Sequence, residues 1–243
     1  MSNKWQEFLV KIKRELEVYG DYFLQGQTIS HTMHPRNNYY QLAKGLYDYL
    51  KDNNFNFSFI TEPTYGGPHI VYNGLSLVTL QSLYNICLIS EKFGNINNFD
   101  HIVDIGGGYG NLCKMTFDLG FKGKYTIYDF PEVNQVQKKF LNNTCAMKNI
   151  EYKQLQDDWE INDNSLLIAT YSMSEMPIED REIVSSNLDK FKSVFVIYQK
   201  AFDNMQNKEY FNSLVKNHPE FDFNSVLCSL RKTEVTILSG EKK

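Results

Sequence analysis

The stretch His101–Asp129, HIVDIGGGYGNLCKMTFDLGFKGKYTIYD, limits the possible folds more than any other part of this 243-residue chain. A short apolar run, Ile102-Val103-Asp104-Ile105, enters the cluster Gly106-Gly107-Gly108-Tyr109-Gly110, after which Leu112, Met115 and Leu119 recur on one helical face. That order predicts strand, tight turn, helix. A second β-rich run, Lys124 to Tyr128, ends on Asp129. A βαβ unit with glycines at its first turn and an acid at the tip of its second strand binds a nucleoside-containing ligand.

The glycine spacing selects among such ligands. A dinucleotide turn would place its third glycine or alanine at position 111, where this chain has Asn111, whereas Gly106, Gly108 and Gly110 alternate. Asp104 also sets a carboxylate at the mouth of the turn, where it would repel a pyrophosphate. S-adenosylmethionine suits the site better: it has an ammonium, a sulfonium and no phosphate, and Asp129 can hold its ribose hydroxyls.

At these residues the chain resembles the class I S-adenosylmethionine-dependent methyltransferases, whose first motif is an acid, one residue, then glycines at alternate positions. The segments VDIGGGYGNLCK, YTIYDFPEV and LIATYSMSEMP, in this order, are similar to those of the sugar O-methyltransferase family, with its IGGGYG turn, D-x-P-E segment and S-x-S-E-M-P segment. The likeness spans roughly residues 55 to 200. It implies a Rossmann-like α/β sheet, mostly parallel with the last strand antiparallel, and methyl transfer to an oxygen of a small molecule, foremost a sugar hydroxyl. The implied cofactor contacts are Asp104, Gly106, Gly107, Gly108, Tyr109, Gly110, Asp129, Phe130, Tyr171 and Ser172.

Composition removes several other classes. With 25 basic against 29 acidic residues the chain has no electrostatic footprint for a polyanion, so nucleic acid is not an expected partner. Cys87, Cys113, Cys145 and Cys228 show no paired or zinc-like spacing and read as buried thiols of a reducing compartment. MSNKWQEFLV lacks the apolar core of a signal peptide, and no run approaches the ~20 apolar residues of a membrane span. A cytoplasmic location is expected, with no resident metal.

Residues 1–98 read as a mainly helical cap and 99–243 as the cofactor-binding domain. In the cap, Trp5, Phe8, Leu9, Ile12, Leu16 and Tyr19 mark an amphipathic helix. QTISHTMHPRNNYY then reads as a polar loop carrying His31 and His34, with Pro35 disfavouring helix at His34. A helix from Tyr39 to Leu50 and a β-like run from Phe55 to Ile60 follow. The loop Glu62 to His69, with Gly66-Gly67 between prolines, either lines a site or turns a small hairpin. A long helix from near Ser76 ends before Gly94.

Beyond Asp129, proline and glutamate open a helix whose face is Val133, Val136, Gln137, Phe140 and Leu141. A third strand, Ile150 to Leu155, leads to Asp157 and Asp158, of which Asp157 is the first choice to accept from the adenine amine, and to Trp159, expected against the ring. A fourth, Ser165 to Tyr171, delivers Tyr171–Pro177 to the carboxyl edge of the sheet, where ligands of open α/β sheets bind. Val194 to Gln199 makes a fifth, and Phe221–Ser229 with Thr233–Leu238 a closing antiparallel hairpin. Transfer to a hydroxyl calls for a group to take its proton. Glu175 is the leading candidate, with Glu62, His69, His31 and His34 in reserve; Glu175 equally reads as a carboxylate that orients its own loop. Two other functions fit a βαβ unit: an NAD-dependent oxidoreductase, and a non-catalytic S-adenosylmethionine-binding partner.

Overall fold

All five side chains of the first sheet strand, β1 (His101–Ile105), are buried, as a strand covered on both faces requires. The computed structural model describes residues 3–37, 39–146, 149–203, 205–228, 230 and 235–243. The sheet continues through β2 (Lys124–Tyr128), β3 (Ile150–Lys153), β4 (Ser165–Thr170), β5 (Ser193–Gln199), β6 (Phe221–Leu227) and β7 (Val235–Lys242). Their order is β3-β2-β1-β4-β5-β7-β6, parallel through β5, with β7 antiparallel to both of its neighbours. The β6–β7 hairpin therefore forms as expected, although most of its connection, 231–234, lies outside the described residues. Strand order reverses between β1 and β4, which opens a crevice at their carboxyl ends.

Side-chain alternation divides the core into two layers. Val103, Ile105, Leu167, Ala169, Val194 and Val196 face α8 (Ile178–Ser185) and α9 (Asn207–Asn217) through Val184, Phe211 and Leu214. Ile102, Ile127, Leu166 and Ile168 face the other way. They share one cluster with α1 (Asn3–Tyr19), α2 (Gln27–Met33), α3 (Tyr40–Asp52), α4 (Leu77–Phe93), α5 (Asn111–Asp118) and α6 (Pro131–Thr144). The remaining helix, α7 (Ser172–Glu175), is one turn long. Helix α4 packs between α3 and α5 and is buried on nearly every side, so the cap and the sheet have a common core. Ser76 caps α4 by accepting from Thr79 N at 3.2 Å. Among the described residues no helix is long and apolar enough to cross a membrane.

Three local expectations change. Gln27–Met33, expected as loop, is helix α2, and Pro35 stops it before His34 as anticipated. Its start lacks a local cap; the Glu15 carboxylate on α1 accepts instead from Thr28 N at 2.8 Å and Ile29 N at 3.0 Å. A Cβ at Gly26 would overlap that carboxylate, which is why glycine precedes α2. Glu15→Ala should cost about 1–3 kcal/mol, because it leaves charge-assisted amide donors without a partner. The check is a lower urea midpoint at unchanged slope.

Phe55–Ile60 is irregular rather than β, since among the described residues no strand pairs with it; Phe57 and Ile60 are buried from loop positions. The small hairpin lies later, pairing Ile70–Tyr72 with Leu75–Ser76. Its turn, Asn73-Gly74, has φ of 46° and 77°, the left-handed pair that a type I′ turn needs.

Candidate active site

The crevice between β1 and β4 opens into a cavity of about 560 Å3, within the range of small-molecule sites. Its floor is Asp104, the glycine turn, and Asp129-Phe130 after β2; the segment Thr170–Pro177 after β4 closes one side. Trp5 of α1, His31, Thr32 and Met33 of α2, Tyr39, and Gln81, Ser82 and Asn85 of α4 form the cap-side wall.

The turn after β1 requires its glycines for different reasons. Gly106 has φ +71°, and a Cβ there would run into the Ser172 side chain. Gly108 has φ +56° and open space above it, so only backbone conformation excludes a larger residue, and a ligand can approach the main chain. The Ser172 hydroxyl donates to Ile105 O, tying the segment after β4 to the turn. Tyr171 just before it, also on the cavity wall, has φ +71°, a strained value for a non-glycine residue.

Asp104 is fully buried, and its Oδ2 accepts from Tyr125 OH at 2.9 Å. Among the described residues its Oδ1 has no partner. Burial pushes this carboxyl up to about 7, partly offset by the Tyr125 bond. Asp129 is likewise pushed up to about 7 by burial; its oxygens accept from Phe130 N at 2.9 Å and Gln137 Nε2 at 2.8 Å. Gln137 also donates to Gly108 O at 3.0 Å, so one buried amide on α6 fixes both the acid and the turn. Asn111 donates to Thr79 Oγ1 at 3.2 Å and Ser82 Oγ at 3.1 Å, and its own Oδ1 is buried without a partner at the cavity wall.

Tyr109 lies on the wall but is almost wholly buried, its ring edge-on to Phe140 at 4.8 Å and His34 at 5.7 Å. Phe130 faces Trp5 across 5.9 Å, so α1 covers the floor residue that follows Asp129. Glu175 reaches the wall, where Gln199 Nε2 donates to its Oε1 at 3.4 Å. Beneath it, buried Arg181 donates to Met176 O and Ser174 O, both at 2.9 Å, and so holds the carbonyls on either side of Glu175.

Other expected site residues lie elsewhere. Asp157 is exposed and outside the cavity wall; its carboxylate accepts from Gln154 N at 2.8 Å, closing a turn. Trp159 stacks on Tyr128 at 4.3 Å, so its ring face is already used. Glu62 is also off the wall: it accepts from Ser76 N at 2.8 Å and Ser76 Oγ at 2.9 Å, joining its loop to the start of α4. The Gly66-Gly67 loop docks on the segment 20–25, with Gly66 N donating to Asp21 O at 2.8 Å. His69 donates its main-chain N–H to His34 Nε2 at 2.8 Å, and neither histidine is on the wall. Burial first, then the neighbouring His69 and Arg36, lowers His34 to about 4, so it stays neutral. Of the reserve bases only His31 lines the cavity. Among the described residues no group of three or more His, Cys, Asp or Glu is arranged to hold a metal ion.

Gln137, Arg181, Trp5, Gln81 and Asn85 were not among the expected site residues. Gln137 and Asn85 did carry a signal, a polar side chain on a stripe otherwise apolar; Arg181 and Trp5 carried none.

No protein-family model matches the chain, and no curated protein matches it. Solved structures do. The chain is similar over 66% of its length to the methyltransferase domain of bacterial CtHen1, covering 97% of that chain at a TM-score of 0.53 and 9% identity. It is also similar, over 68% of its length and 42% of the other, to a chain of the Pnkp1/Rnl/Hen1 RNA repair complex, at a TM-score of 0.50 and 14% identity. Together with the strand order, these define the fold as that of the class I methyltransferases.

Proposed function

We propose that this protein transfers a methyl group from S-adenosylmethionine to an oxygen of a small molecule, with a sugar hydroxyl or glycan as acceptor. The observation that carries the cofactor is Asp104, whose buried Oδ1 lacks a partner at the cavity floor. A buried carboxylate is costly alone and is satisfied by an ammonium. Asn111 Oδ1 adds a second acceptor on the same floor. Asp129 keeps spare lone pairs for ribose hydroxyls beyond the bonds from Phe130 and Gln137. A dinucleotide fits poorly: among the described residues the wall has no lysine or arginine to meet a pyrophosphate.

When bound, the cofactor supplies an electrophilic methyl group on a positive sulfur, so the protein has to align the acceptor and exclude water. Ser172 and Arg181 fix the segment after β4 for that task. Glu175 takes the hydroxyl proton as the acceptor oxygen attacks.

A pH series tests the cofactor. Asp104 and Asp129 titrate far above the ordinary carboxylate value, so the ligand-free fold binds more protons than the unfolded chain and loses stability as pH rises toward about 7. A cation that pairs with ionised Asp104 restores that loss. The rise in melting temperature with S-adenosylmethionine should therefore grow as pH increases through about 7. A shift that is flat with pH, or larger with NADH, contradicts the reading. Incubation with a sugar panel should then add one methylene in mass to a product.

A further inference from the structure

Two carboxamides on the cap-side wall have no bonding role in the fold. Gln81 and Asn85 stand one helical turn apart on α4 and both line the cavity. Neither side chain makes a hydrogen bond among the described residues, and Asn85, only 6% exposed, leaves a buried Oδ1 without a partner. Their neighbour Ser82, on the same wall, is engaged, accepting from Asn111, so among the described residues Gln81 and Asn85 are the wall amides of this helix left without a partner. Buried amides are normally bonded, and an exception at a cavity wall points to a ligand.

The ionisable groups around them limit what that ligand is. Asp104, Asp129 and Glu175 face the cavity; His31 is the sole basic side chain on the wall among the described residues. A phosphate would enter a site with three acids and no lysine or arginine. Carboxamides are neutral, and each both donates and accepts, which matches hydroxyl groups. Trp5 and Tyr39 add aromatic surface for the apolar body of such a molecule.

We infer that the acceptor is a neutral polyhydroxyl compound carrying no phosphate or nucleotide, and that Asn85 and Gln81 recognise its hydroxyls. This rests on the proposed methyl transfer. The full chain, saturated with S-adenosylmethionine, is assayed on methyl glycosides and on the nucleoside-diphosphate derivatives of the same sugars. The neutral compounds are expected to give the higher kcat/KM. Asn85→Leu removes an unpartnered amide at nearly constant volume, so the variant should melt at or above the wild-type temperature. Its acceptor KM should rise on the order of tenfold to a hundredfold, with cofactor affinity unchanged in calorimetry. Equal or better turnover of the nucleotide-linked sugars, or an Asn85→Leu variant with wild-type KM, overturns the inference while leaving the cofactor assignment in place. A wild-type chain that binds no S-adenosylmethionine removes the underlying reading, and this inference with it.

Discussion

Asp104→Asn is expected to weaken S-adenosylmethionine binding by about 2–5 kcal/mol, roughly thirtyfold to several thousandfold, because it removes the charge that faces a buried ammonium. The amide is nearly the same shape, and its oxygen still accepts from Tyr125 OH, the contact that orients Asp104. The fold should therefore survive. In the ligand-free protein the variant should even gain stability above about pH 7, since burial opposes the wild-type carboxylate and leaves a neutral amide alone. Calorimetric titration and thermal melts separate the two effects. Affinity lost while melting temperature rises is the signature of a residue retained for a ligand at the expense of the fold. Unchanged affinity would falsify the role of Asp104 and, with it, the preference for a cationic nucleoside.

The strand, turn and helix at the cavity floor were legible because their determinants are local. β1, the glycine turn and α5 follow each other without interruption, and Gly106 and Gly108 have the left-handed angles that their spacing implies. Asp129 directly follows β2 for the same reason: a strand of fixed length delivers the residue after it to the sheet edge. The roof was not legible. Trp5 and Asn85 come from separate helices and Tyr39 from the residue before α3, and only the packing of these segments against the sheet brings them to one cavity. Helix α2 was hidden because its first amides are bonded by Glu15, thirteen residues away for Thr28, rather than by a neighbouring cap. Asp157 shows the converse case. It follows the third strand as an adenine-binding acid would, but a local turn takes its carboxylate, and Tyr128 takes the ring face of Trp159. The hairpin offered for the Gly66-Gly67 loop forms one segment later, at Asn73-Gly74, a pair whose turn preference is itself local.

Glu175→Gln should lower kcat by about 10²–10⁴ while S-adenosylmethionine affinity stays at the wild-type level, because general-base assistance acts only as the acceptor proton is transferred. Two roles compete for this side chain: base, or fixed element of the segment after β4. The geometry lets them be separated. Arg181 holds the carbonyls of Ser174 and Met176, so the path of the backbone around position 175 does not depend on the carboxylate. Glutamine also keeps a side chain of equal length beside Gln199. A purely orienting role would then survive the substitution with turnover intact and, where it failed, would lower melting temperature and raise acceptor KM together. A base would leave melting and KM nearly unchanged and remove the acid limb of the kcat/KM profile, since no carboxylate remains to be protonated. Full turnover in Glu175→Gln would leave His31 as the remaining candidate on the wall.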